Sequence, residues 1–229
     1  MTEPTLIVPA AGGLAYRFRR PTRTGVPPVI LLHGLGGNED VMWVLETALP
    51  PGGLVAAPRG TFPSVAGGCS WLGADLEGWP KASDFAVAVA ELGDLLKVLG
   101  GDRDAAAGPF VLMGFSQGAA LALMAAANGA AQVAGVVALS GFLPEGTGAS
   151  EEHTGLSGLP VYWGHGTRDE WVPVSRARQD VERLRAAGAA VTFCEADIGH
   201  KLGPECLRGL KGWFVSLERV SQAGGGHLA

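Results

Sequence analysis

Phe110-Val111-Leu112-Met113-Gly114-Phe115-Ser116-Gln117-Gly118-Ala119-Ala120-Leu121 is the stretch that decides the fold. Residues 110–114 form an apolar run of the kind that sits inside a sheet covered on both faces. From Gln117 to about Ala127 the chain is rich in Ala and Leu, a pattern for a helix buried on all sides. Between them lies Gly-x-Ser-x-Gly. A strand that passes into a helix through so short a turn crowds its own backbone. Gly114 and Gly118 carry no Cβ, so the two elements can approach closely. The Ser116 hydroxyl is then left above the C-terminal edge of the sheet, where α/β proteins bind ligands. The helix N-terminus beneath it offers partial positive charge to a developing anion. Gly-x-Ser-x-Gly in strand–turn–helix context is a nucleophile elbow. The competing reading is a Gly-rich turn with an incidental Ser, and the flanking strand and helix weigh against it.

The same alternation runs outward in both directions. Residues 28–33, 53–57, 133–139, 160–164 and 190–195 read as strands. Residues 38–48, 83–99, 174–187 and 204–219 read as helices. Asn38 and Ser83 are candidate N-caps, and Pro204 opens the last helix. Leu14 to Arg19 alternates and reads as an antiparallel strand at the sheet edge. The fold class that follows is α/β, with a mostly parallel central sheet and helices on both faces. One domain is expected over residues 1–220, with a flexible tail at 221–229. The stretch 141–158 is a surface loop too short for a large cap domain.

The whole chain sets bounds. Its 229 residues, 47% hydrophobic and 17% charged, suit a single globular domain with a large core. A net charge of −5 gives no electrostatic ground for nucleic acid or anionic membrane as partner. No apolar stretch is long enough to span a bilayer, and residues 1–13 lack the pattern of a signal peptide. The three cysteines, Cys69, Cys194 and Cys206, show no CxxC or zinc spacing. Cys194 lies in an apolar run and reads as a buried thiol. Three unpaired thiols point to a reducing, cytoplasmic compartment.

A serine hydroxyl needs a base. Of the five histidines, His227 is in the tail and His153 is in an acidic loop. His33 precedes Gly34 at a strand end, and His165 reads as structural. His200 follows the last strand, as the chain order Ser, acid, His requires. Asp169 follows an earlier strand and can orient that imidazole. Glu170, Asp197 and Glu145 are the competing carboxylates. Two N–H donors are needed for an oxyanion. One is the backbone of Gln117, after the nucleophile. The other is assigned to Leu35, in the glycine-rich turn His33-Gly34-Leu35-Gly36-Gly37. That turn lacks GxGxxG and a P-loop Lys, which argues against a nucleotide site.

Taken together, Leu32-His33-Gly34-Leu35-Gly36-Gly37, Gly114-Phe115-Ser116-Gln117-Gly118, Leu139-Ser140-Gly141-Phe142-Leu143-Pro144, His165 to Pro173 and Gly199-His200 resemble one family. It is the carboxylesterase/phospholipase family of small α/β-hydrolases, which includes acyl-protein thioesterases and lysophospholipases. The resemblance runs from about residue 28 to 217. It implies an α/β-hydrolase fold and a serine hydrolase acting on a small-molecule or lipid ester, or a thioester; no metal or cofactor is implied, because the sequence shows no ligand cluster. It favours Asp169 over Glu145, and it supports Leu35 and Gln117 as donors. It also implies a shallow acyl groove near Trp71, Phe142, Leu143 and Val172, although Phe142 and Leu143 fit ordinary core positions equally. A homodimer is an assembly it allows. Residues 59–79 and 145–158 match loosely. Rival readings are a dienelactone hydrolase, which would carry Cys in place of Ser116, a peptidase, a non-catalytic binding module and a membrane-surface lipid binder.

Overall fold

The computed structural model describes residues 3–9, 13–65, 67–73, 78–101, 108–129, 133–147 and 154–224. In chain order the strands are β1 (Thr5–Ile7), β2 (Tyr16–Arg19), β3 (Val29–Leu32), β4 (Val55–Pro58), β5 (Phe62–Pro63), β6 (Cys69–Ser70), β7 (Phe110–Phe115), β8 (Val133–Leu139), β9 (Pro160–Gly166) and β10 (Ala190–Ala196). The α-helices are α1 (Ala86–Gly101), α2 (Gln117–Ala127), α3 (Val174–Ala186) and α4 (Pro204–Gly224), with 3-10 segments at Val41–Ala48, Ala82–Phe85 and Thr154–Leu156. The eight-stranded sheet has the order β1-β2-β4-β3-β7-β8-β9-β10. Its β1–β2 and β2–β4 pairs are antiparallel and the rest are parallel.

Period-two alternation sends neighbouring residues to opposite faces. Ile30, Leu32, Leu112, Val136, Ala138, Val161 and Trp163 join one core, shared with α1, α2 and α3. Val29, Leu31, Val111, Met113, Val137, Leu139 and Tyr162 join the other, closed by Leu210, Phe214 and Leu217 of α4. Every residue of α2 is buried, as its uniformly apolar sequence requires.

The parallel register decides where the site lies. Leu32, Gly114, Ala138, Trp163 and Phe193 stand in one row across β3, β7, β8, β9 and β10. The residues just beyond that row open into the loops that carry His33, Ser116, Ser140, Asp169 and His200. The elbow is close-packed as its glycines demand. A Cβ on Gly114 would lie 2.2 Å from the Gly118 oxygen, and one on Gly118 would lie 2.2 Å from the Leu32 oxygen.

Several expectations need correction. Tyr16–Arg19 is antiparallel but not at the edge, because β1 covers it. Residues 41–48 coil as a 3-10 helix with Asp40 at the N-cap; Asn38 instead accepts the Asp40 N–H through its side chain. Lys81, not Ser83, stands at the N-cap position of the 3-10 segment before α1, and its N–H donates to Asp84 Oδ2. The expected tail at 221–229 begins as helix, since α4 continues to Gly224; residues 225–229, with His227, lie outside the described residues, as does His153. Cys194 is not a free thiol. It is paired with Cys206 across 12 positions of sequence, joining β10 to the first turns of α4, and Cys69 stays free. The cysteine count therefore no longer argues for a reducing compartment. Among the described residues, no helix is long and apolar enough to cross a membrane.

Two outcomes are expected. Thiol titration of the unfolded, unreduced chain should find one reactive thiol, not three. Gly118→Ala should cost about 1–3 kcal/mol or more through overpacking, read as a lowered urea midpoint. An unchanged midpoint would contradict the elbow packing.

Candidate active site

Ser116 sits at the N-cap of α2 with φ 53°, one of two non-glycine residues at positive φ among the described residues. Such a backbone costs on the order of 1–3 kcal/mol and persists only where the surroundings impose it. Here they do. The Ser116 N–H donates to the Leu139 oxygen at 2.8 Å, and the Ser116 oxygen receives the N–H groups of Ala119 and Ala120. The other such residue, Ser140, ends β8 in the same way, and its hydroxyl donates to the Lys201 oxygen at 3.3 Å. That bond anchors the loop immediately after His200.

The expected base and acid come together. His200 Nδ1 lies 2.7 Å from Asp169 Oδ2. Since a carboxylate only accepts, the shared proton belongs to Nδ1, which leaves Nε2 as the basic nitrogen. The Asp169 side chain is fully buried, while that of His200 is 19% exposed and so open to a substrate. Asp169 Oδ1 accepts the N–H groups of Trp171 (3.0 Å) and Val172 (2.9 Å), which fixes the carboxylate. The two loops can meet because Gly166 has no side chain. A Cβ there would lie 2.1 Å from the Gly199 oxygen. The rival carboxylates are elsewhere: Asp197 pairs with Arg168, Glu170 is exposed, and the backbone of Glu145 bonds Pro80 and Ala82. Among the described residues Ser116 Oγ makes no hydrogen bond, and the Phe115 ring packs edge-on to the His200 ring at 4.9 Å. Serine–histidine contacts commonly close only once substrate is bound.

The turn after β3 lies against the nucleophile, since a Cβ on Gly34 would be 3.4 Å from that of Ser116. Within it, the Gly36 N–H is spent on the Cys69 oxygen and that of Gly37 on the Gly34 oxygen. The amides of Leu35 and Gln117 have no partner among the described residues. They are the two singled out as oxyanion donors. The Gln117 side chain is engaged separately, accepting the Trp71 N–H at 2.8 Å.

His33 braces this turn. Its Nδ1–H donates to the Gly34 oxygen (2.7 Å), and its Nε2 accepts the Gly60 N–H (2.9 Å). Burial lowers its pKa from the ordinary 6.5, so the ring is held neutral. Beyond the turn, Glu39 is buried against Arg59, and their hydrogen bond lowers the carboxyl pKa.

The four residues expected to line an acyl groove are all buried. Trp71 stacks on His33 at 4.8 Å and donates its indole N–H to the His33 oxygen, so it carries the turn from below. Val172 holds Asp169. Phe142 packs on Trp79 at 5.3 Å. Leu143 lines a cavity of about 250 Å³ with Thr147, Leu156 and Leu184, which none of Ser116, Asp169 and His200 borders. The apolar groups exposed in the surrounding loops are Leu35, Val65 and Trp171, at 61%, 90% and 78%. Sequence alone did not single out Val65 or Trp171, because hydrophobic pattern says nothing about which loop residue faces solvent.

Burial also lowers the pKa of His165. For both His33 and His165 the folded value lies below the unfolded 6.5. Below that pH the unfolded chain takes up protons that the folded chain refuses. Their contribution to stability is complete above 6.5 and is lost as pH falls toward the folded values. The urea midpoint should therefore drop between pH 7.5 and 5, and less steeply in His33→Gln. A flat profile would refute this.

A model of the phospholipase/carboxylesterase family matches residues 19–214. A probable inactive carboxylesterase from Oryza sativa subsp. japonica is 28% identical over 195 residues, covering 76% of this chain and 78% of that protein. An acyl-protein thioesterase 1 from Cryptococcus neoformans var. neoformans is 30% identical over 122 residues, 46% of this chain and 50% of that protein. Among solved structures, the Bacillus cereus carboxylesterase has a TM-score of 0.78 at 22% identity, over 89% of this chain and 94% of its own. The Zea mays acyl-protein thioesterase 2 has a TM-score of 0.71 at 27% identity, over 89% and 98%. The solved structures share a common fold with this chain, and the family model spans nearly the whole sheet; on that match the chain belongs to the phospholipase/carboxylesterase family of α/β-hydrolases.

Proposed function

We propose that the protein is a serine esterase that cleaves carboxylic esters or thioesters through an acyl-enzyme on Ser116. The observation that carries this reading is the His200–Asp169 hydrogen bond of 2.7 Å, next to a serine held at positive φ on a helix N-terminus. His200 Nε2 takes the Ser116 proton as Oγ attacks the acyl carbon. Asp169 stabilises the imidazolium without being protonated. The unpartnered Leu35 and Gln117 amides hold the tetrahedral oxyanion, each worth about 3 kcal/mol. His200 then protonates the departing alcohol or thiol. Water, deprotonated by the same nitrogen, releases the acid and restores Ser116.

The acyl chain would pass along the exposed Leu35, Val65 and Trp171, since Trp71, Phe142, Leu143 and Val172 are buried. Family membership supports an ester or thioester as the substrate class, and the family's names include both. One observation favours a second reading. The rice relative is described as probably inactive. A non-catalytic descendant would have no need of two orphan amides and a buried, oriented Asp–His pair in one place.

The test is hydrolysis of p-nitrophenyl esters from acetate to palmitate, with a fluorophosphonate probe in parallel. The wild type should turn over part of the series and become labelled at Ser116. Ser116→Ala and His200→Ala should each lose about 10⁴-fold or more in kcat, and Asp169→Asn about 10⁴-fold. A wild type inert to every ester and to the probe would establish the non-catalytic reading.

A further inference from the structure

His165 is fully buried beside the acid of this site, and the mechanism just derived does not use it. Among the described residues, its ring nitrogens meet three polar groups. The Trp163 indole N–H donates to His165 Nδ1 at 3.3 Å. His165 Nε2 lies 2.8 Å from the Val172 carbonyl oxygen. The same Nε2 lies 3.5 Å from Asp169 Oδ2. An indole nitrogen can only donate and a carbonyl can only accept. Nδ1 must therefore carry the lone pair and Nε2 the hydrogen. Protonating Nδ1 would set two N–H groups against each other, so one neutral tautomer is specified. The titratable groups around the ring are Asp169, His200 and Glu195, and Glu195 is itself paired with Arg178 on α3.

Val172 links this ring to the acid. Its N–H donates to Asp169 Oδ1 while its carbonyl accepts from His165. The turn 169–172 is thus tied down at both polar atoms of one residue. Two histidines converge on Asp169 Oδ2, His200 from the loop after β10 at 2.7 Å and His165 from within β9 at 3.5 Å. Only His200 is exposed to a substrate.

We propose that His165, fixed by Trp163 as its neutral Nε2–H tautomer, is a positioning residue that holds the Val172 carbonyl and so aims Asp169 at His200. This rests on the serine-esterase reading for its kinetic consequence, but not for its structural one. A group of this kind acts on the reacting geometry, where a displacement near 1 Å can cost about 100-fold in rate.

The experiment compares His165→Leu and His165→Gln with wild type. Leu fills the space without a donor, whereas the Gln amide can still donate to the Val172 oxygen. Two readouts are taken. One is kcat and KM on the best p-nitrophenyl ester. The other is the low-field proton resonance of the Asp169–His200 hydrogen bond, which needs no turnover. His165→Leu should lower kcat by about 10–100-fold at nearly constant KM and lose the resonance, and His165→Gln should recover most of both. Trp163→Phe, which removes only the donor to Nδ1, should give a mixture of His165 tautomers by 15N NMR. The proposal is overturned if His165→Leu keeps the resonance and kcat, or if Leu and Gln fall equally. An inert wild type would overturn the esterase reading alone, and the resonance would still decide the role of His165.

Discussion

The oxygen of Leu32 occupies the space that any side chain at position 118 would need. That contact lets α2 start directly against β3, and the rest of the site depends on it. It brings the helix N-terminus to the sheet edge, places Gln117 next to the turn after β3, and leaves Ser116 no relaxed conformation to adopt. The strain at Ser116 is local, but what sustains it is the burial of all of α2 between strands and neighbouring helices. The geometry of one hydroxyl is thus maintained by a large volume of apolar packing.

Three histidines stand around this edge, and their partners divide the work among them. His33 and His165 are buried, each with both ring nitrogens engaged, and each is confined to a single neutral form. His33 braces the turn that bears the Leu35 amide, and His165 faces the turn that bears Asp169. His200 has Nδ1 engaged and Nε2 without a hydrogen-bond partner among the described residues, with a side chain 19% exposed. A proton acceptor has to keep one nitrogen uncommitted, and a brace must not. Imidazole serves both ends because its two nitrogens can be assigned separately by the groups around them.

Much of this was legible in the sequence because it follows from periodicity and from chain order. The elbow, α2 and β8 lie where the residue pattern put them. Asp169 and His200, after β9 and β10, meet in a hydrogen bond, and Phe115, beside Ser116 at the end of β7, packs on the His200 ring. What was not legible came from contacts with no local signature. β1 and the β5–β6 hairpin are two or three residues long and owe their existence to pairing partners, including the bridge between Gly37 and Cys69. Residues 41–48 have helical spacing, but spacing alone does not distinguish a 3-10 coil from an α-helix over eight residues. The pairing of Cys194 with Cys206 depends on where α4 starts relative to the end of β10, a tertiary fact. The burial of Trp71 beneath the oxyanion turn, and the exposure of Trp171, likewise follow from loop paths and not from hydrophobicity.

The Cys194–Cys206 bond closes a ring around the segment that bears His200. Exposed loops are where proteases cut most readily. A single cut between residues 195 and 205 would leave the two pieces of the chain covalently joined, with α4 still tethered beside the sheet that it covers. Such a nicked molecule would remain one covalent unit until a reductant separated the pieces.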